Sequence, residues 1–447
     1  MVLHSLLAVD AIARQTAAAM LDLRWRQTVA RSPHAWALRD AATGRVWTFT
    51  ELEAEADSVR IDDGSGLVFP SGQSVGFILA LLRAWRAGRP VCPLEPGQPS
   101  PVVPPPPAGI AHLKLTSGTT GAPRCVAFTS GQLAADADAI VATMGLSPEQ
   151  PDLGVISLAH SYGFSNLVLP LLLHGIPLVL VASPLPAAVA EAARSLGDVP
   201  LTLPAVPAMW RAWHEAGAIP SGVRLAISAG APLPLALEQA VFADRGLKLH
   251  NFLGASECGG IAYDADEAPR TDAAAAGHPM RGVELGRDAD GCLIVRGPAV
   301  GDGYWPRCDE RLADGVYRTQ DLVEFDATGG VLLRGRMGDL VNVAGRKVAP
   351  EAVEAELRGH PAVRECLVFG VPEEGGRGES VVAVVELRMP ATEQELRAHL
   401  LGRLPAWQTP RAWRFVSSLA PSRRGKLSRA EWRRRWMDGD ASAVHVR

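Results

Sequence analysis

The sequence has no closely spaced pair of cysteines and only a small net charge. Six cysteines occur among 447 residues, and none belongs to a CxxC pair. This spacing indicates neither a zinc site nor a disulfide framework, and a reducing cytoplasm fits it best. The formal net charge is only -4, with 47% hydrophobic and 21% charged residues. That balance predicts a globular protein and gives no reason to expect nucleic acid as a partner.

Targeting and membrane-spanning segments are also missing. The first residues have no basic start and carry His4 and Asp10 within their apolar stretch, so they predict a helix and not a signal peptide. The longest apolar run, near residues 167–182, is interrupted by two prolines, a histidine and a glycine. We therefore expect a buried helix followed by a strand there, and no membrane span.

One stretch that is present, residues 115–125 with the sequence LTSGTTGAPRC, has the composition of a phosphate-binding loop. Its hydroxyl side chains, glycines and closing cation are Thr116, Ser117, Gly118, Thr119, Thr120, Gly121 and Arg124. Glycines let backbone N–H groups turn inward, hydroxyls add donors, and the cation supplies charge. Apolar runs on either side predict that the loop connects two strands. The alternative is a polar surface turn; the P-loop of nucleotide kinases is excluded because no GKS or GKT follows.

The order of apolar patterns predicts an α/β protein in two domains. From Val155 to Leu253, short apolar strands alternate with helical stretches, which is the spacing of parallel βα units. From Gly282 the pattern changes to strands with polar turns, which predicts a small β-subdomain attached to that core. After Arg336 a compact α+β tail follows. We therefore predict a large N-terminal domain over residues 1–336 and a small C-terminal domain over residues 337–447.

Five motifs occur in a fixed order between residues 48 and 429. They are the loop TSGTTGAPR, the pair AGAPLP and NFLGASECGG, the segment VYRTQDLVEF, the segment LRGRMGDLVNVAGRKV, and APSRRGKLSR near the C-terminus. In this order they resemble the motifs of the adenylate-forming superfamily, which includes acyl-CoA and aryl-CoA synthetases, adenylation domains of peptide synthetases, and luciferases. The resemblance covers nearly the whole chain, and it implies that the C-terminal domain is mobile.

The resemblance implies an ATP site. The loop would hold the phosphates of ATP, with Arg124 where the family usually has lysine. Glu257, assisted by Thr120, would bind Mg²⁺, which screens the repulsion between a carboxylate substrate and the triphosphate. Asp321 would accept hydrogen bonds from the ribose hydroxyls, and Arg336 would contact the ribose or a phosphate. The remaining nucleotide contacts would come from Gly230, Ala231, Pro232, Asn251, Leu253, Gly254 and Ser256.

The resemblance also implies a catalytic lysine and a hinge. Lys426 would bridge the incoming carboxylate and the α-phosphate while charge shifts between them. The alternative is a lysine on a solvated basic tail. Gly338 stands where the family pivots its C-terminal domain, and Gly345 lies in the loop that the family brings to the site for the second half-reaction. If Gly338 were a plain turn glycine, the tail would be rigid.

The substrate side is predicted from the helix start SLAHSYGF and from the loops near residues 228–233 and 254–262. His160 would contact or gate the acyl carboxylate, with a capping or packing role as the alternative. The acyl pocket would be formed by small or apolar groups, namely Tyr162, Phe164, Ser228, Ala229, Gly254, Ala255, Cys258, Gly259 and Gly260. No acid occurs from Leu158 to Ser165, which argues against an α-amino acid substrate. An apolar carboxylic acid, aryl or fatty, fits best.

These assignments imply a ligase with two half-reactions. ATP would activate the acid as acyl-AMP with release of pyrophosphate, and a thiol would then take the acyl group. No carrier domain follows Lys426, so the acceptor would be coenzyme A or the phosphopantetheine of a separate acyl carrier protein. A stand-alone adenylation enzyme that loads such a carrier is one alternative. A non-catalytic binding or scaffold relative is another, because Arg124, Leu253 and Gln320 depart from the family pattern.

Overall fold

The structure, a computed structural model, describes residues 20–61, 66–116, 124–343, 345–373, 378–419 and 428–439. Up to the middle of the chain the elements are α1 (described over 20–31), β1 (Trp36–Asp40), β2 (Val46–Thr48), α2 (Phe49–Ser58), α3 (Val75–Arg86), β3 (Ile110–Thr116), β4 (Arg124–Thr129), α4 (Ser130–Met144), β5 (Asp152–Gly154), α5 (Ser161–Gly163), β6 (Leu178–Leu180), α6 (Pro186–Arg194), β7 (Leu201–Ala205), α7 (Pro207–Glu215), β8 (Val223–Ser228) and α8 (Leu235–Arg245). Two π-helical turns, Phe164–Val168 and Pro170–His174, continue α5.

The remaining elements are β9 (Leu249–Ala255), β10 (Gly259–Tyr263), β11 (Ala275–Pro279), β12 (Glu284–Arg287), β13 (Cys292–Arg296), β14 (Gly303–Trp305), β15 (Leu312–Ala313), β16 (Val316–Phe325), β17 (Val331–Arg336), β18 (Val341–Val343), β19 (Arg346–Val348), α9 (Pro350–Arg358), β20 (Val363–Pro372), β21 (Glu379–Leu387), α10 (Glu393–Leu401), β22 (Ala412–Val416) and α11 (Arg429–Met437). Two short 3-10 turns cover Met337–Asp339 and Ala406–Gln408. The predicted helix at the N-terminus lies outside the described residues.

The main sheet has a parallel part and an antiparallel part. Strands β9, β8, β7, β5, β6 and β1 are neighbours in that order and run parallel. On the other side of β9 the sheet continues antiparallel through β10, β11, β17, β16, β13 and β12. This arrangement confirms the predicted α/β class with parallel βα units and an attached β-subdomain. The predicted buried helix and strand near residues 167–182 are also confirmed, as the π-helical turns and β6.

The two faces of the parallel part are covered by different helices. Ile227 of β8 and Ala229, which directly follows the strand, share an apolar cluster with Ile140 and Met144 of α4. Ala226 of β8 belongs instead to the main core together with the buried Trp210 of α7, whose Nε1 donates a 3.2 Å hydrogen bond to the Ile227 carbonyl oxygen. Side chains alternate between faces along a strand, so neighbouring residues of β8 serve different layers.

A second, smaller sheet orders the strands β14, β4 and β3 antiparallel. The register pairs Thr116 with Arg124, so the two ends of the phosphate loop leave adjacent strands side by side. Tyr304 of β14 pairs with Val126 of β4. The loop is thereby confirmed as a connection between two strands, and a tyrosine from far along the chain is placed beside it.

Local capping explains where several helices begin. Thr48 accepts a hydrogen bond from the Glu51 backbone N–H at 3.2 Å, while Glu51 accepts one from the Thr48 N–H at 2.7 Å, which is a capping box at the start of α2. Thr129 and Gln132 form the same arrangement at α4, directly after β4. The phosphate loop is therefore followed by a strand and a firmly started helix.

The C-terminal part is a separate α+β layer. Strands β20, β21 and β22 form one sheet, and its buried side chains join α9 and α10 in a cluster of their own. This agrees with the predicted compact α+β tail. The boundary near Met337 and the mobility of the tail stay predictions. In the part of the chain that the structure describes, no helix combines the length and the apolar character needed to cross a membrane.

Candidate active site

Arg124 lies where the phosphate loop enters β4. Its guanidinium carbon is 3.5 Å from the centroid of the Tyr304 ring, and its Nη2 donates a 2.7 Å hydrogen bond to Asp309 Oδ2. The cation is therefore held over an aromatic face and against a carboxylate at the same time. The rest of the predicted phosphate ligands lie outside the described residues, as does the side chain of Thr116: Ser117, Gly118, Thr119, Thr120 and Gly121.

Asp309 is an ionised anchor for two arginines. Arg311 Nη2 donates a 2.8 Å hydrogen bond to the same Oδ2 that Arg124 contacts. The hydrogen bonds from Arg311, and after them those from Arg124, hold the pKa of Asp309 well below its usual range. Asp309 is consequently charged at neutral and mildly acidic pH, and it keeps Arg124 beside the Tyr304 ring.

Glu257, the predicted magnesium residue, is half-buried and shares Tyr304 with Arg124. The Tyr304 hydroxyl donates a 2.9 Å hydrogen bond to Glu257 Oε1. Burial, together with the neighbouring carboxylate charge, raises the pKa of Tyr304. The phenol therefore stays protonated at neutral pH and holds one oxygen of Glu257 in place.

A buried ion pair joins β3 to α4, and its carboxylate also bonds to β10. Lys114 Nζ of β3 lies 3.9 Å from Asp136 Oδ2 of α4. Asp136 also accepts hydrogen bonds from the Gly260 backbone N–H at 3.2 Å and from Ser165 Oγ at 2.5 Å. A Cβ at Gly259, where φ is +68°, would overlap the Asp136 carboxylate, so glycine is required there. Four elements around the site are held together by this cluster.

The described side chains suit magnesium only if substrate phosphates supply further ligands. Among the residues that the structure describes, no group of three or more His, Cys, Asp and Glu side chains could hold a metal ion. Magnesium is commonly bound by one or two carboxylates together with substrate phosphates and water. Glu257 supplies one carboxylate, bonded to the tyrosine that also contacts Arg124, and a single carboxylate suits a metal shared with a triphosphate. The second predicted metal residue, Thr120, lies outside the described residues.

The predicted ribose residues face each other across two paired strands. Asp321 of β16 is in register with Arg336 of β17, and Arg336 Nε donates a 2.6 Å hydrogen bond to Asp321 Oδ1. Burial of Tyr317, and next the charge of Glu257, raise the pKa of this tyrosine, and the charge of Asp321 also contributes. The charges of the predicted magnesium residue and of the predicted ribose residue therefore both act on Tyr317.

The predicted adenine-side segments follow β8 and form the end of β9. Gly230 has φ of +84°, a left-handed conformation that glycine adopts without strain, and Ala231 and Pro232 follow it at the surface. Asn251 Nδ2 donates a 3.2 Å hydrogen bond to the Ala275 carbonyl oxygen. Gly254 is exposed. Leu253 is half-buried against the main core, so it offers an aliphatic surface where the family usually has an aromatic ring.

The substrate helix begins next to the Glu257 turn. Ser161 Oγ and Ser256 Oγ are 3.1 Å apart. His160 is half-buried, and its Nδ1 accepts a 3.3 Å hydrogen bond from the Tyr162 backbone N–H, which caps α5. The capping alternative for His160 is therefore present in the structure, and its contact with an acyl carboxylate stays a prediction. The Tyr162 hydroxyl donates a 3.3 Å hydrogen bond to the Ile227 carbonyl oxygen, and Tyr162 packs against the cluster that contains Ile140 and Met144 of α4.

Three residues predicted for the acyl pocket are buried in the core and do not lie on the same side as Tyr162. Phe164 is 1% exposed, and its ring centroid is 4.3 Å from that of His112. Because Phe164 lies two positions after Tyr162 along the helix, the two side chains do not face the same way. Ser228 is fully buried and, by strand alternation, faces away from Ile227. Cys258 is 1% exposed, and burial raises its pKa well above the usual range.

The other pocket residues line the hairpin that β9 and β10 form. Ala255 is half-buried, and Gly259 and Gly260 are buried at the start of β10. Ala229 joins the cluster that also contains Ile227 and Tyr162.

Sequence patterns did not identify Tyr304, Asp309 or Phe252. Tyr304 is one of only four tyrosines in the chain, and that scarcity is a signal that could have drawn attention to it. Asp309 has no such signal, because its partner Arg124 is 185 positions away. Phe252 stands inside the NFLGASECGG motif, where its ring lies against glycines of the same hairpin.

The residues predicted for the later steps are only partly described. Gly338 lies in the exposed 3-10 turn Met337–Asp339. Gly345 lies at the exposed turn between β18 and β19, with its N–H donating a 3.0 Å hydrogen bond to Asn342 Oδ1. Lys426 lies outside the described residues. Their roles in catalysis and domain rotation stay predictions.

The chain is similar to known ligases. The AMP-binding enzyme model matches residues 79–305, and the AMP-binding enzyme C-terminal domain model matches residues 352–426. A sulfoacetate–CoA ligase from Cupriavidus necator is 30% identical over 356 residues, which cover 76% of this chain and 70% of the relative. An anthranilate–CoA ligase from Pseudomonas aeruginosa is 32% identical over 354 residues, which cover 73% and 67%.

A solved structure agrees at the level of the fold. ATP-bound MatB from Rhodopseudomonas palustris aligns with a TM-score of 0.83 at 21% identity, over 94% of this chain and 99% of that chain. The two family models cover Arg124, Glu257 and most of the C-terminal layer, whereas Asp321 and Arg336 lie between the two matched segments. This chain therefore belongs to the AMP-binding enzyme family of adenylate-forming proteins, and it is a ligase of the AMP-forming acyl-CoA synthetase type.

Proposed function

We propose that this ligase activates an apolar carboxylic acid with ATP, releases pyrophosphate, and transfers the acyl group to coenzyme A. One observation carries the proposal, namely the convergence of the predicted ATP residues. Arg124 and Glu257 meet at Tyr304. Tyr317 lies close enough to Glu257 and Asp321 for their charges to act on it. A cation, a metal-suited carboxylate and a ribose acceptor in one region fit an adenylating site.

In the first half-reaction a carboxylate oxygen of the acid attacks the α-phosphorus of ATP, and pyrophosphate leaves. Arg124, at the end of the phosphate loop, neutralises charge on the departing phosphates. Glu257 would hold Mg²⁺, which when bound screens the repulsion between carboxylate and triphosphate. Asp321, steadied by Arg336, accepts hydrogen bonds from the ribose hydroxyls. These groups position the reactants and stabilise charge, and none forms a covalent intermediate.

In the second half-reaction a thiol sulfur attacks the carbonyl carbon of acyl-AMP, and AMP leaves. The curated relatives described above are named as CoA ligases, which supports coenzyme A as the thiol. The alternative acceptor is the phosphopantetheine arm of a separate acyl carrier protein, which offers the same thiol.

The test is ATP–pyrophosphate exchange with a panel of aryl and aliphatic acids. It is followed by transfer of the acyl group to coenzyme A or to a carrier protein that bears free phosphopantetheine. We expect acid-dependent exchange and thioester formation with coenzyme A. Thioester formation with the carrier alone would replace coenzyme A by the carrier as acceptor. No exchange with any acid would contradict the proposal.

The role of Lys426 can be separated from that of the other groups. We expect Lys426→Ala to slow acyl-AMP formation by roughly a hundredfold or more, because a charge-stabilising group is lost from the transition state. Thiol transfer from supplied acyl-AMP should be largely retained. The matched control is Lys347→Ala, since Lys347 is an exposed lysine in β19. Equal loss of both half-reactions in the Lys426 variant would contradict this role.

A further inference from the structure

Arg311 lies on the connection between the strand that carries Tyr304 and the strand that carries Asp321. It directly precedes β15, which pairs with β16. The Arg311 carbonyl oxygen accepts a 2.7 Å hydrogen bond from the Arg318 backbone N–H of β16. The backbone of Arg311 is therefore fastened to the strand of the predicted ribose residue, so that its side chain starts from a fixed point.

The Arg311 side chain reaches the same oxygen atom that Arg124 contacts. Its Nη2 donates a 2.8 Å hydrogen bond to Asp309 Oδ2, and its Nε donates one of 3.1 Å to Asp309 Oδ1. Arg124 Nη2 donates a 2.7 Å hydrogen bond to the same Oδ2. Burial raises the pKa of Tyr304, whereas the charges of Arg124 and Arg311 both act to lower it. Two guanidinium groups therefore meet at one carboxylate oxygen beside the Tyr304 ring.

The cluster of Arg124, Arg311 and Asp309 keeps a net positive charge, because one carboxylate offsets only one of the two cations. In the part of the chain that the structure describes, Asp309 is the only carboxylate that forms an ion pair with Arg311, and Nη1 of Arg311 has no hydrogen-bond partner. The Arg311 side chain is 41% exposed, so a ligand can reach its guanidinium. A cation that is held in place, accessible and incompletely neutralised suits a phosphate.

We propose that Arg311 is a second phosphate-binding cation of the ATP site, which contacts the β- or γ-phosphate together with Arg124 and keeps this contact with pyrophosphate as it leaves. This inference rests on the proposed function and adds a binding residue to it. Two planar guanidinium groups around one carboxylate oxygen present donors to phosphate oxygens from two directions, which a single cation cannot do. Asp309 positions both groups and does not contact the phosphates itself, since two anions repel each other.

The two half-reactions separate this role from a general loss of structure, because thiol transfer involves no β- or γ-phosphate. KM for ATP and KM for pyrophosphate are measured by ATP–pyrophosphate exchange with the acid that gives the fastest exchange. For Arg311→Gln we expect both KM values to rise by about tenfold, since a charge-assisted hydrogen bond is lost. Transfer of the acyl group from supplied acyl-AMP to coenzyme A should stay within about twofold of the wild type.

A double variant separates direct binding from an effect through Arg124. Because Arg311 binds phosphate itself, adding Arg311→Gln to Arg124→Gln should raise KM for pyrophosphate by about fivefold or more beyond Arg124→Gln alone. A role confined to steadying Asp309 would leave the double variant no worse than Arg124→Gln, and that result would overturn the proposal.

Arg307→Gln is the matched control, since Arg307 is an exposed arginine on the same connection and has no ion pair with a described carboxylate. It should change both KM values by less than about twofold. Unchanged KM values in Arg311→Gln, or an equal slowing of its thiol transfer, would overturn the inference while the proposed function stands. Absence of exchange with every acid in the wild type would instead overturn the proposed function, and the inference with it.

Discussion

Arg124 contacts an aromatic ring and a carboxylate at the same time, and a lysine side chain could not make both contacts. The planar guanidinium lies 3.5 Å above the Tyr304 ring while Nη2 bonds to Asp309 at 2.7 Å. An ammonium is a compact charge on a flexible stem and has no plane to stack. The Tyr304 ring and Asp309 therefore suit an arginine in place of the family's usual lysine. The replacement does not argue against ATP binding.

We predict that Arg124→Lys weakens ATP binding although it restores the residue that is common in the family. The variant loses the stack and the directed bond, worth about 1–2 kcal/mol together, so KM for ATP should rise by about fivefold to thirtyfold. KM for the acid should change little. Steady-state ATP–pyrophosphate exchange gives both values, and an unchanged or lower KM for ATP would show that the stack does not matter. Arg224→Lys, an exposed arginine on β8, is the control.

At the level of elements, α11 is fastened to the rest of the C-terminal layer through its first residue. Arg429 lies 2.6 Å from carboxylate oxygens of Asp339 and of Glu351 through Nη1, and 2.9 Å from Glu354 through Nη2. Burial disfavours its charge, but the three carboxylates outweigh this and raise the pKa of Arg429. The arginine of the GKLSR motif is thus a half-buried cation paired with three carboxylates and not part of a solvated basic face.

Arg429→Ala should destabilise this layer strongly. Removing the arginine leaves the buried Glu354 and two half-buried carboxylates uncompensated, and the expected loss is about 2–3 kcal/mol in the free energy of unfolding. Urea unfolding followed by circular dichroism measures it. Arg434→Ala, on the exposed side of the same helix, should change stability by less than about 0.5 kcal/mol. Similar losses in the two variants would mean that Arg429 has no special structural role.

On the scale of the whole molecule, the C-terminal layer contacts the large domain where α9 packs against β17, and it adds ionic contacts near α7. Arg211 Nη1 is 3.4 Å from Glu365 Oε2, and Arg364 Nη2 is 3.6 Å from Glu215 Oε2. Ion pairs with this much solvent contribute at most about 1 kcal/mol each. Such contacts are compatible with release of the layer between half-reactions. Gly338 is exposed, its φ is outside the left-handed region, and the nearest atom to a Cβ there is Gln320 Oε1 at 3.8 Å.

Nothing in the described arrangement requires glycine at position 338. We therefore expect the backbone freedom of Gly338 to be used when the C-terminal domain rotates between the half-reactions. Gly338→Pro should leave acyl-AMP formation within about twofold of the wild type and slow thiol transfer by roughly tenfold or more, since proline fixes φ. Single-turnover measurements of each half-reaction separate the two effects. Gly338→Ala, which keeps more backbone freedom, should slow thiol transfer much less. Normal turnover in the proline variant would rule out rotation at this residue.

Much of this protein follows from its sequence alone. The alternation of short apolar strands and helices fixed the α/β class, because parallel strands need crossover helices. The five ordered motifs identified the family, and with it the residue types suited to phosphate, metal and ribose. These are local signals: the spacing of Glu257 within its motif or of Asp321 within VYRTQDLVEF needs no knowledge of the fold.

The tertiary structure alone decided which residues meet. Asp309 and Tyr304 reach Arg124 only because β14 pairs with β4 across a long stretch of chain, and no local pattern encodes that pairing. The same holds for the side chains of β8. Whether Ile227 or Ser228 faces α4 depends on the phase of β8 in the sheet, since a shift of one residue moves every side chain to the other face. Sequence specifies chemistry residue by residue, whereas register and packing select the partners.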